Sequence, residues 1–350
     1  MKKYFCLIFL VCVISCMDVS RKNPNKTETI SLLTNQIEET FLDIADFAEN
    51  TYLIKLREAE EGLIGRIKDM DLSDDFIFIL AENGIFRFDN SGNFLNHISR
   101  KGKGPGEYQQ ISSISLDNEK NILYILTRNK IMKFTFDNKL IAERKAPDGM
   151  NNILYNRDKL ICTHSILNSR FVQDSGVYSI VILSDKLEVE NQLLPLQKDS
   201  DISPMFIFKA NLYNYDGEFH YHNPFRDTLY YLHDSELEAK YVFISDPENE
   251  DFHINRIIET SDFVLVRTLS QNEWDLFIYD KRKKITRLIE KDRDSRAGFS
   301  DKKYNLPNFQ PNFFKSDKWM ADFIYGYQID SLSYLQDFDK ESLILRIVRM

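Results

Sequence analysis

Short runs of apolar or alternating residues recur along most of the chain. They have the length and the β-branched and aromatic content of strands, and turn-forming or polar residues close each run. Five of these runs are Phe76–Leu80, Ile122–Leu126, Tyr178–Leu183, Thr228–Leu232 and Phe263–Val266. Helical periodicity is almost absent, so the pattern predicts an all-β fold.

The strand runs repeat at a nearly constant interval. In each repeat a strand ends at an aspartate, whose carboxylate can accept backbone N–H groups in the following turn. These aspartates are Asp89, Asp137, Asp185, Asp234 and Asp280, at successive spacings of 48, 48, 49 and 46 residues. A period of about 40–50 residues is typical of a four-stranded propeller blade. Residues 41–350 are therefore predicted to form a six-bladed β-propeller, with one or two β-sandwiches as the alternative.

Both ends of this region carry strand-like runs. A propeller must cover its first and last strand edges, because an open edge exposes unpaired backbone groups. We expect Thr51–Leu56 to pair beside the C-terminal run Leu343–Val348, so that the N-terminal strand closes the last blade. The stretch Ser331–Lys340 alternates less and predicts a short helix.

The N-terminus has the features of an export signal. The basic start Met1–Lys3 precedes an apolar run, Tyr4–Ile14, which is shorter than the roughly 20 residues that span a bilayer. Val13–Cys16 resembles the bacterial lipobox, in which the cysteine is lipidated and becomes the new N-terminus. Residues 1–16 are therefore predicted to be a lipoprotein signal peptide, with Cys16 retained and attached to the membrane.

The segment that follows the signal peptide is polar. Residues 17–40 lack the apolar content of a core and are predicted to be a tether between the lipid and the fold. Cleavage by ordinary signal peptidase, without a lipid, is the alternative.

Charge and cysteine content narrow the function classes. The formal net charge is −9, whereas nucleic-acid binding needs clustered basic residues, so no nucleic-acid partner is expected. The basic run Lys281–Lys284 lies between two strand patterns and predicts a solvated hairpin turn.

Of four cysteines only Cys162 lies beyond residue 16, so we expect a buried thiol and no internal disulfide. The chain is expected to be monomeric and to need no cofactor.

One segment resembles a known family. Ser99–Tyr108 contains Gly102, Gly104, Pro105, Gly106, Glu107 and Tyr108, and is similar to the Gly-x-Gly-Pro-Gly-Glu-aromatic loop of six-bladed β-propeller lipoproteins of Bacteroidetes, which are NHL-like or TolB-like in shape. Gly62–Gly65 and Tyr221–Tyr230 also match segments of that family. The resemblance implies export, lipidation and a propeller in the cell envelope, most simply at the outer membrane, and it implies no chemistry.

The glycine-rich loop also has a structural interpretation. It has to cross from the last strand of one blade to the first strand of the next, and glycine permits the tight turns that this requires. A phosphate cradle is disfavoured, because the spacing fits neither the dinucleotide-binding nor the Walker pattern.

Candidate functional residues follow from three local patterns. His220 and His222 lie on one face of a strand and could ligate a metal, although two further ligands would be needed. Residues at loops and blade entries are the candidates for ligand binding: Glu107, Tyr108, Arg226, Phe309 and Phe313. The aromatic run Met205–Phe208 and the acidic loop Asp246–Asp251 are weaker candidates, for packing or binding and for calcium respectively.

No constellation of catalytic residues stands out, so two functions remain. The first is a non-enzymatic binding or scaffolding propeller, tethered to a membrane, that presents one face to a glycan, peptide or partner protein. The alternative is a metal-assisted hydrolase or lyase with its site in the central channel. A metal held by three or more ligands from different blades would distinguish the second from the first.

Overall fold

The fold is all-β. The computed structural model describes residues 27–33, 37–57, 64–164, 178–195, 209–224, 226–245, 252–270, 273–292, 297–329 and 338–350. In these ranges it contains strands and two single-turn 3-10 helices, Ile44–Asp46 and Gly326–Gln328. The strands, in chain order, are β1 (Glu28–Ser31), β2 (Glu39–Thr40), β3 (Asn50–Leu56), β4 (Ile67–Leu72), β5 (Phe76–Ala81), β6 (Gly84–Asp89), β7 (Phe94–Ile98), β8 (Arg100–Lys101), β9 (Glu107–Tyr108), β10 (Ile111–Asp117), β11 (Ile122–Thr127), β12 (Lys130–Thr135), β13 (Leu140–Lys145), β14 (Met150–Asn156), β15 (Lys159–His164), β16 (Tyr178–Leu183), β17 (Val189–Pro195), β18 (Asn211–Tyr215), β19 (Glu218–His222), β20 (Thr228–His233), β21 (Glu236–Ile244), β22 (His253–Glu259), β23 (Phe263–Ser270), β24 (Glu273–Asp280), β25 (Ile285–Ile289), β26 (Phe299–Asp301), β27 (Leu306–Phe309), β28 (Phe313–Ser316), β29 (Trp319–Tyr325) and β30 (Leu343–Arg349).

Most strands belong to antiparallel units of four. Sheet 1 is β4–β7, sheet 2 is β10–β13, sheet 3 is β14–β17, sheet 4 is β18–β21 and sheet 5 is β22–β25, each in chain order. Sheet 6 has the order β28, β29, β30, β3. Sheets 4 and 6 also touch through one parallel pair, Asn214 with Ser316. The repeat seen in the sequence therefore corresponds to one four-stranded sheet.

The edge of sheet 6 is covered by the N-terminal strand, as the sequence predicted. Strand β3 pairs antiparallel with β30 along its whole length, from Asn50 opposite Arg349 to Leu56 opposite Leu343. Apolar side chains on both strands pack inward, and the pairing satisfies the backbone groups that an open C-terminal edge would expose.

Part of the predicted tether belongs to the fold, which corrects the expectation for residues 17–40 in the range that the structure describes. Strand β1 pairs in parallel with β21 at the edge of sheet 4, and β2 pairs with β25 at the edge of sheet 5. The reason is that Ile30 and Leu32 supply apolar side chains within a polar segment, and both are buried.

The repeated aspartates have two roles. Asp89 and Asp280 accept backbone N–H groups of the following turn at 2.8–2.9 Å, as predicted. Asp137 and Asp185 instead pair with a basic side chain of the preceding sheet: Arg87 at 3.0 Å and Lys133 at 2.5 Å. The repeated aspartates therefore contribute to contacts between sheets as well as to turns.

Apolar clusters fill the space between consecutive sheets. Separate clusters lie between sheets 6 and 1, 1 and 2, 2 and 3, and 3 and 4, and a larger one joins sheets 4, 5 and 6. Cys162 is buried in the cluster between sheets 2 and 3, and burial raises the pKa of its thiol. The sheets are therefore held face to face by hydrophobic burial.

The first strand of each sheet bonds to the first strand of the next. Most links join a polar side chain on one strand to a backbone group on or just before its neighbour, the last joins two side chains, and the links run in chain order. They are Asp71 with Leu116 N (3.0 Å), Ser115 with Tyr155 N (2.9 Å), Asn214 with Tyr155 O (3.0 Å), Asn211 with Ile257 N (3.2 Å), Arg256 with Asn312 O, and Lys315 with Asp69 (3.2 Å).

Several sequence predictions fall outside the described residues. They concern the signal peptide and Cys16, Met205–Phe208, the acidic loop Asp246–Asp251, and most of the helix proposed in Ser331–Lys340. Within the part of the chain that is described, no helix is long and apolar enough to cross a membrane.

Candidate functional site

A polar cavity of about 470 Å³ lies where the first strands of the sheets converge. It is lined by β4, β14, β18, β22 and β28 and by the residues just before β4, β18 and β28. Farther along, two of these strands meet where Asn214 of β18 pairs with Ser316 of β28. Small-molecule ligands in proteins occupy pockets of roughly 300–1,000 Å³, so this cavity has the volume of a binding site.

One ion pair stands at the floor of the cavity. Lys315 Nζ lies 3.2 Å from Asp69 Oδ2 and 3.9 Å from Asp71 Oδ2, and it donates to the carbonyl of Ile114. Asp69 Oδ2 also accepts from Ser113 Oγ at 2.9 Å and from the backbone N–H of Ile114 at 3.1 Å. The carboxylate of Asp69 is therefore used to join β4, β10 and β28.

The two carboxyls beside Lys315 differ in acidity. Burial raises the pKa of both, but Lys315, Lys209 and hydrogen bonds outweigh it at Asp69 and hold its pKa below the ordinary value. At Asp71 burial prevails, helped by the nearby charge of Asp69, and raises the pKa to about 6. Near neutral pH, Asp69 is therefore more completely ionised than Asp71.

Two basic groups of the lining have lowered pKa values. Desolvation lowers the pKa of Lys209, and the charges of Lys315, Lys68 and Arg256 lower it further against the opposite effect of Asp69. Desolvation together with Arg267 lowers the pKa of Arg256 to about 10. The Arg256 guanidinium therefore remains cationic near pH 7 in a positively charged environment.

The loop candidates Glu107 and Tyr108 have structural contacts. Glu107 Oε2 accepts the N–H of Gly104 at 2.9 Å, and Oε1 accepts Arg100 Nε at 2.7 Å. These bonds lower the pKa of Glu107, that to Gly104 most. A Cβ on Gly102 would lie 2.0 Å from the Glu107 carboxylate, so a larger residue there would displace that side chain. Tyr108 is buried between sheets 1 and 2.

The aromatic candidates are divided between the core and the cavity. Phe309 has no exposed surface and packs against Phe299 and over the guanidinium of Arg346. Phe309 is therefore a core residue of the large apolar cluster of sheets 4–6 and is not accessible to a ligand. Phe313 is half-buried, lines the cavity and packs edge-on against Phe323, at 5.3 Å between centroids.

His220 and His222 lie on the same face of β19, as predicted, but both rings are buried and have protein partners. His220 Nδ1 lies 3.1 Å from the carbonyl of Glu218 and Nε2 lies 3.0 Å from Lys240 Nζ. His222 Nε2 lies 2.8 Å from the carbonyl of Arg226 and Nδ1 lies 3.2 Å from Asn211 Nδ2. The side chain of Arg226, the remaining ligand candidate, is exposed.

These contacts give no support to a metal at the histidine pair. Carbonyl oxygens can only accept, so each imidazole donates from one nitrogen and turns its other nitrogen toward an amine or amide donor. Nowhere in the described ranges do three or more His, Cys, Asp or Glu side chains form a group that could hold a metal ion.

The buried histidines predict a strong pH dependence of stability. Desolvation lowers the pKa of His220 to about 3 and that of His222 to about 4, from 6.5. At these two histidines the unfolded chain binds more protons than the folded one below pH 6.5, so their contribution lowers stability as the pH drops from 6.5 toward 4. We expect His222→Gln to remove about 3 kcal/mol of this fall, measured by urea unfolding at pH 4.5–8.

The exposed His233 offers a matched control for that measurement. His233→Gln should follow the wild-type pH profile. If His222→Gln and the wild type lost stability in parallel on acidification, His222 would not be a buried neutral group.

The cavity was missed by the sequence analysis, although the sequence contains a signal for it. Basic or amide residues lie in or just before the first strand in most repeats, at Lys68, Asn152, Lys209, Arg256 and Asn312. Aligning the repeats by their first strands, rather than by their aspartates, would have placed these positions at one end of the assembly.

Comparison with known proteins assigns a family. The chain belongs to the family described as Domain of unknown function (DUF4934), whose model matches residues 27–344. No curated protein matches the sequence.

Among the solved structures that resemble this one are two from Bacteroides. A crystal structure of a Bacteroides fragilis protein, assigned by its description as exported, has 20% identity and a TM-score of 0.68, with 92% of this chain and 99% of that chain covered. A DUF4221 family member from Bacteroides vulgatus has 10% identity and a TM-score of 0.53, with 87% and 98% covered. At these identities the likeness concerns the fold alone.

Proposed function

We propose that this protein is an exported, lipid-anchored six-bladed β-propeller of the cell envelope that binds a glycan, peptide or partner protein without catalysing a reaction. The cavity at the convergence of the first strands is the observation that carries the binding role. Its volume is that of a ligand site, and its polar lining comes from five different sheets.

The propeller arrangement is supported by the order of the contacts. Six four-stranded units follow one another along the chain, with the last completed by β3. Their first strands bond in that order, and apolar clusters fill the gaps between neighbouring sheets. A radial arrangement of blades accounts for both features, because each blade then contacts two neighbours and turns its first strand to the axis.

The envelope location rests on the N-terminal sequence. A basic start, a short apolar run and the Val13–Cys16 motif are the parts that lipoprotein export requires. The fold neighbour from Bacteroides fragilis, described as exported, agrees with this location.

We expect Cys16→Ser to abolish the lipid anchor. In cells grown with a clickable palmitate analogue, the wild type should incorporate the label and fractionate with the outer membrane, since Cys16 would carry the acyl chains. The Cys162→Ser variant is a control with the same chemical change and should stay labelled. Label retained on Cys16→Ser would contradict lipidation at this residue.

The binding role is tested with the full-length protein in detergent. A ligand that binds only the folded state raises the thermal midpoint by mass action. We expect a rise with at least one member of a panel of glycans and peptides, and no turnover of that ligand. Divalent metals and a chelator form a separate arm. A rise with metal that the chelator reverses, accompanied by hydrolysis of a glycan, would overturn the non-enzymatic proposal.

A further inference from the structure

The lining of the cavity is strongly cationic in an acidic protein. The described lining residues include five basic side chains and one carboxylate, a formal charge of 5 − 1 = +4, whereas the whole chain carries −9. The basic residues are Arg66, Lys68, Lys209, Arg256 and Lys315, and the carboxylate is Asp69. Overall composition therefore does not explain the charge of this surface, which is concentrated at one end of the first strands.

Most of these cations are not neutralised by the protein. Lys315 pairs with Asp69 and Asp71. Lys209 Nζ donates to the carbonyl of Ser112 at 2.6 Å, which is a neutral acceptor. For Arg66, Lys68 and Arg256, no carboxylate of the described residues lies within ion-pair distance.

Arg256 adds an unsatisfied donor. One of its terminal nitrogens donates to the carbonyl of Asn312, while its Nε is buried and has no hydrogen-bond partner. A buried donor without a partner costs free energy, so the protein satisfies this guanidinium only in part. Arg267 lies close enough to disfavour the charge of Arg256, so the protein itself brings like charges together here.

Such an arrangement of like charges costs free energy in the empty cavity and becomes favourable when an anion is bound. Like charges held close in a partly desolvated cavity repel one another unless an anion enters. The walls of a concave site also strengthen the field that an entering charge experiences.

We propose that this cavity binds the anionic group of a small ligand, a carboxylate, sulfate or phosphate held by Lys68, Lys209 and Arg256. The proposal deepens the binding role given above and rests on it, by assigning the class of ligand.

Paired ligands test the charge preference directly. Acidic disaccharides bearing a carboxylate, a sulfate or a phosphate are titrated calorimetrically into the full-length protein in detergent, each beside its neutral parent sugar, and inorganic sulfate and phosphate form a further arm. We expect at least one acidic ligand to bind roughly tenfold or more tightly than its neutral parent. Its affinity should fall as NaCl rises from about 50 to 500 mM, because salt screens the attraction.

Substitutions inside and outside the cavity show where the acidic ligand binds. The double variant Lys68→Gln, Lys209→Gln should weaken the acidic ligand roughly tenfold or more. The double variant Lys145→Gln, Lys186→Gln removes the same charge from exposed positions outside the cavity and should bind as the wild type does. Thermal midpoints of both variants establish that each is folded before binding is compared.

The outcomes separate this inference from the binding role itself. Competition by inorganic sulfate or phosphate would indicate that the anionic group alone suffices, and lack of competition that the sugar contributes, and both agree with the proposal. Equal binding of acidic and neutral partners, or acidic binding unchanged in the cavity variant, would overturn the anionic assignment while leaving a binding protein. Binding of neutral ligands only would overturn it in the same way.

Discussion

Replacing Arg346 by methionine is expected to lower the free energy of unfolding by about 3–5 kcal/mol. Arg346 has no exposed surface. It forms a bidentate pair with Asp322, with Nε 3.0 Å from one oxygen and a terminal nitrogen 2.7 Å from the other. A second terminal nitrogen lies 3.1 Å from Asp301 and 3.0 Å from the carbonyl of Pro307. Methionine keeps much of the side-chain volume but leaves two buried carboxylates without a counter-charge.

The loss should depend on pH in a defined direction. Burial raises the pKa of Asp322 even though Arg346 opposes it. Without the arginine the folded-state pKa should rise further above the unfolded value, so the carboxyl takes up a proton on folding. A raised carboxyl pKa favours the folded state at low pH and loses that contribution as the pH rises through it. The variant should therefore be impaired more at pH 8 than at pH 5.

Urea unfolding of matched variants measures this effect. Arg157→Met breaks the exposed pair with Glu218, whose atoms lie 2.8 Å apart, and should cost at most about 1 kcal/mol. Arg346→Lys keeps the charge but loses the bidentate geometry, and we expect an intermediate loss. If Arg346→Met and Arg157→Met were equally stable, the buried ion group would not contribute to holding sheet 6 against β26.

Replacing Glu259 by glutamine is expected to cost a comparable amount, about 3–5 kcal/mol. Glu259 is fully buried between sheets 4 and 5. One carboxylate oxygen lies 2.9 Å from Lys240 Nζ, 2.6 Å from Lys281 Nζ and 3.1 Å from Tyr241 OH. The other accepts from Tyr213 OH at 3.2 Å. Glutamine preserves the shape, removes the charge that two ammonium groups share, and turns an amide donor toward groups that donate.

The lowered pKa of Glu259 agrees with its role as a counter-ion shared by Lys240 and Lys281. Burial would raise its pKa, but Lys240, His220 and Lys281 outweigh burial and hold the pKa below the ordinary value of 4.5. The charge is thus retained well into the acid range, and its contribution to stability is lost only as the pH falls through the lowered pKa.

A surface glutamate provides the comparison. Glu190 pairs with Lys159 where both side chains are partly exposed, and Glu190→Gln should change the unfolding midpoint little. Equal midpoints for Glu259→Gln and Glu190→Gln would contradict the role of Glu259 as a shared counter-ion. An added Lys281→Met should recover part of the loss in Glu259→Gln, because one of the unpaired ammonium groups is then gone.

The buried ion groups around Arg346 and Glu259 could not be predicted from the sequence alone. The run Lys281–Lys284 is a turn between β24 and β25, as its flanking strands predicted. The expectation that the whole run is solvated is wrong for Lys281, which is mostly buried and reaches back to Glu259. Its partner lies 22 residues earlier on a different strand, and no local pattern connects the two.

The histidine pair and the aromatic candidates show the same division. Alternation along a strand placed His220 and His222 on one face, because side chains in a strand alternate with period two. It could not reveal that lysine, amide and carbonyl groups from other segments occupy their nitrogens. In the same way the apolar character of Phe309 fits a core as well as a platform, and the packing of sheets 4–6 decided for the core.

The sequence by itself determined the all-β class, the four-strand period and the pairing of Thr51–Leu56 with the C-terminal strand. These features depend on local alternation and on the need to pair every strand edge, and both can be read along the chain. The tertiary structure alone decided the cationic cavity and the buried ion groups. Each of these joins residues far apart in sequence, such as Asp69 and Lys315 at a separation of 246 residues, so it arises only when the sheets pack together.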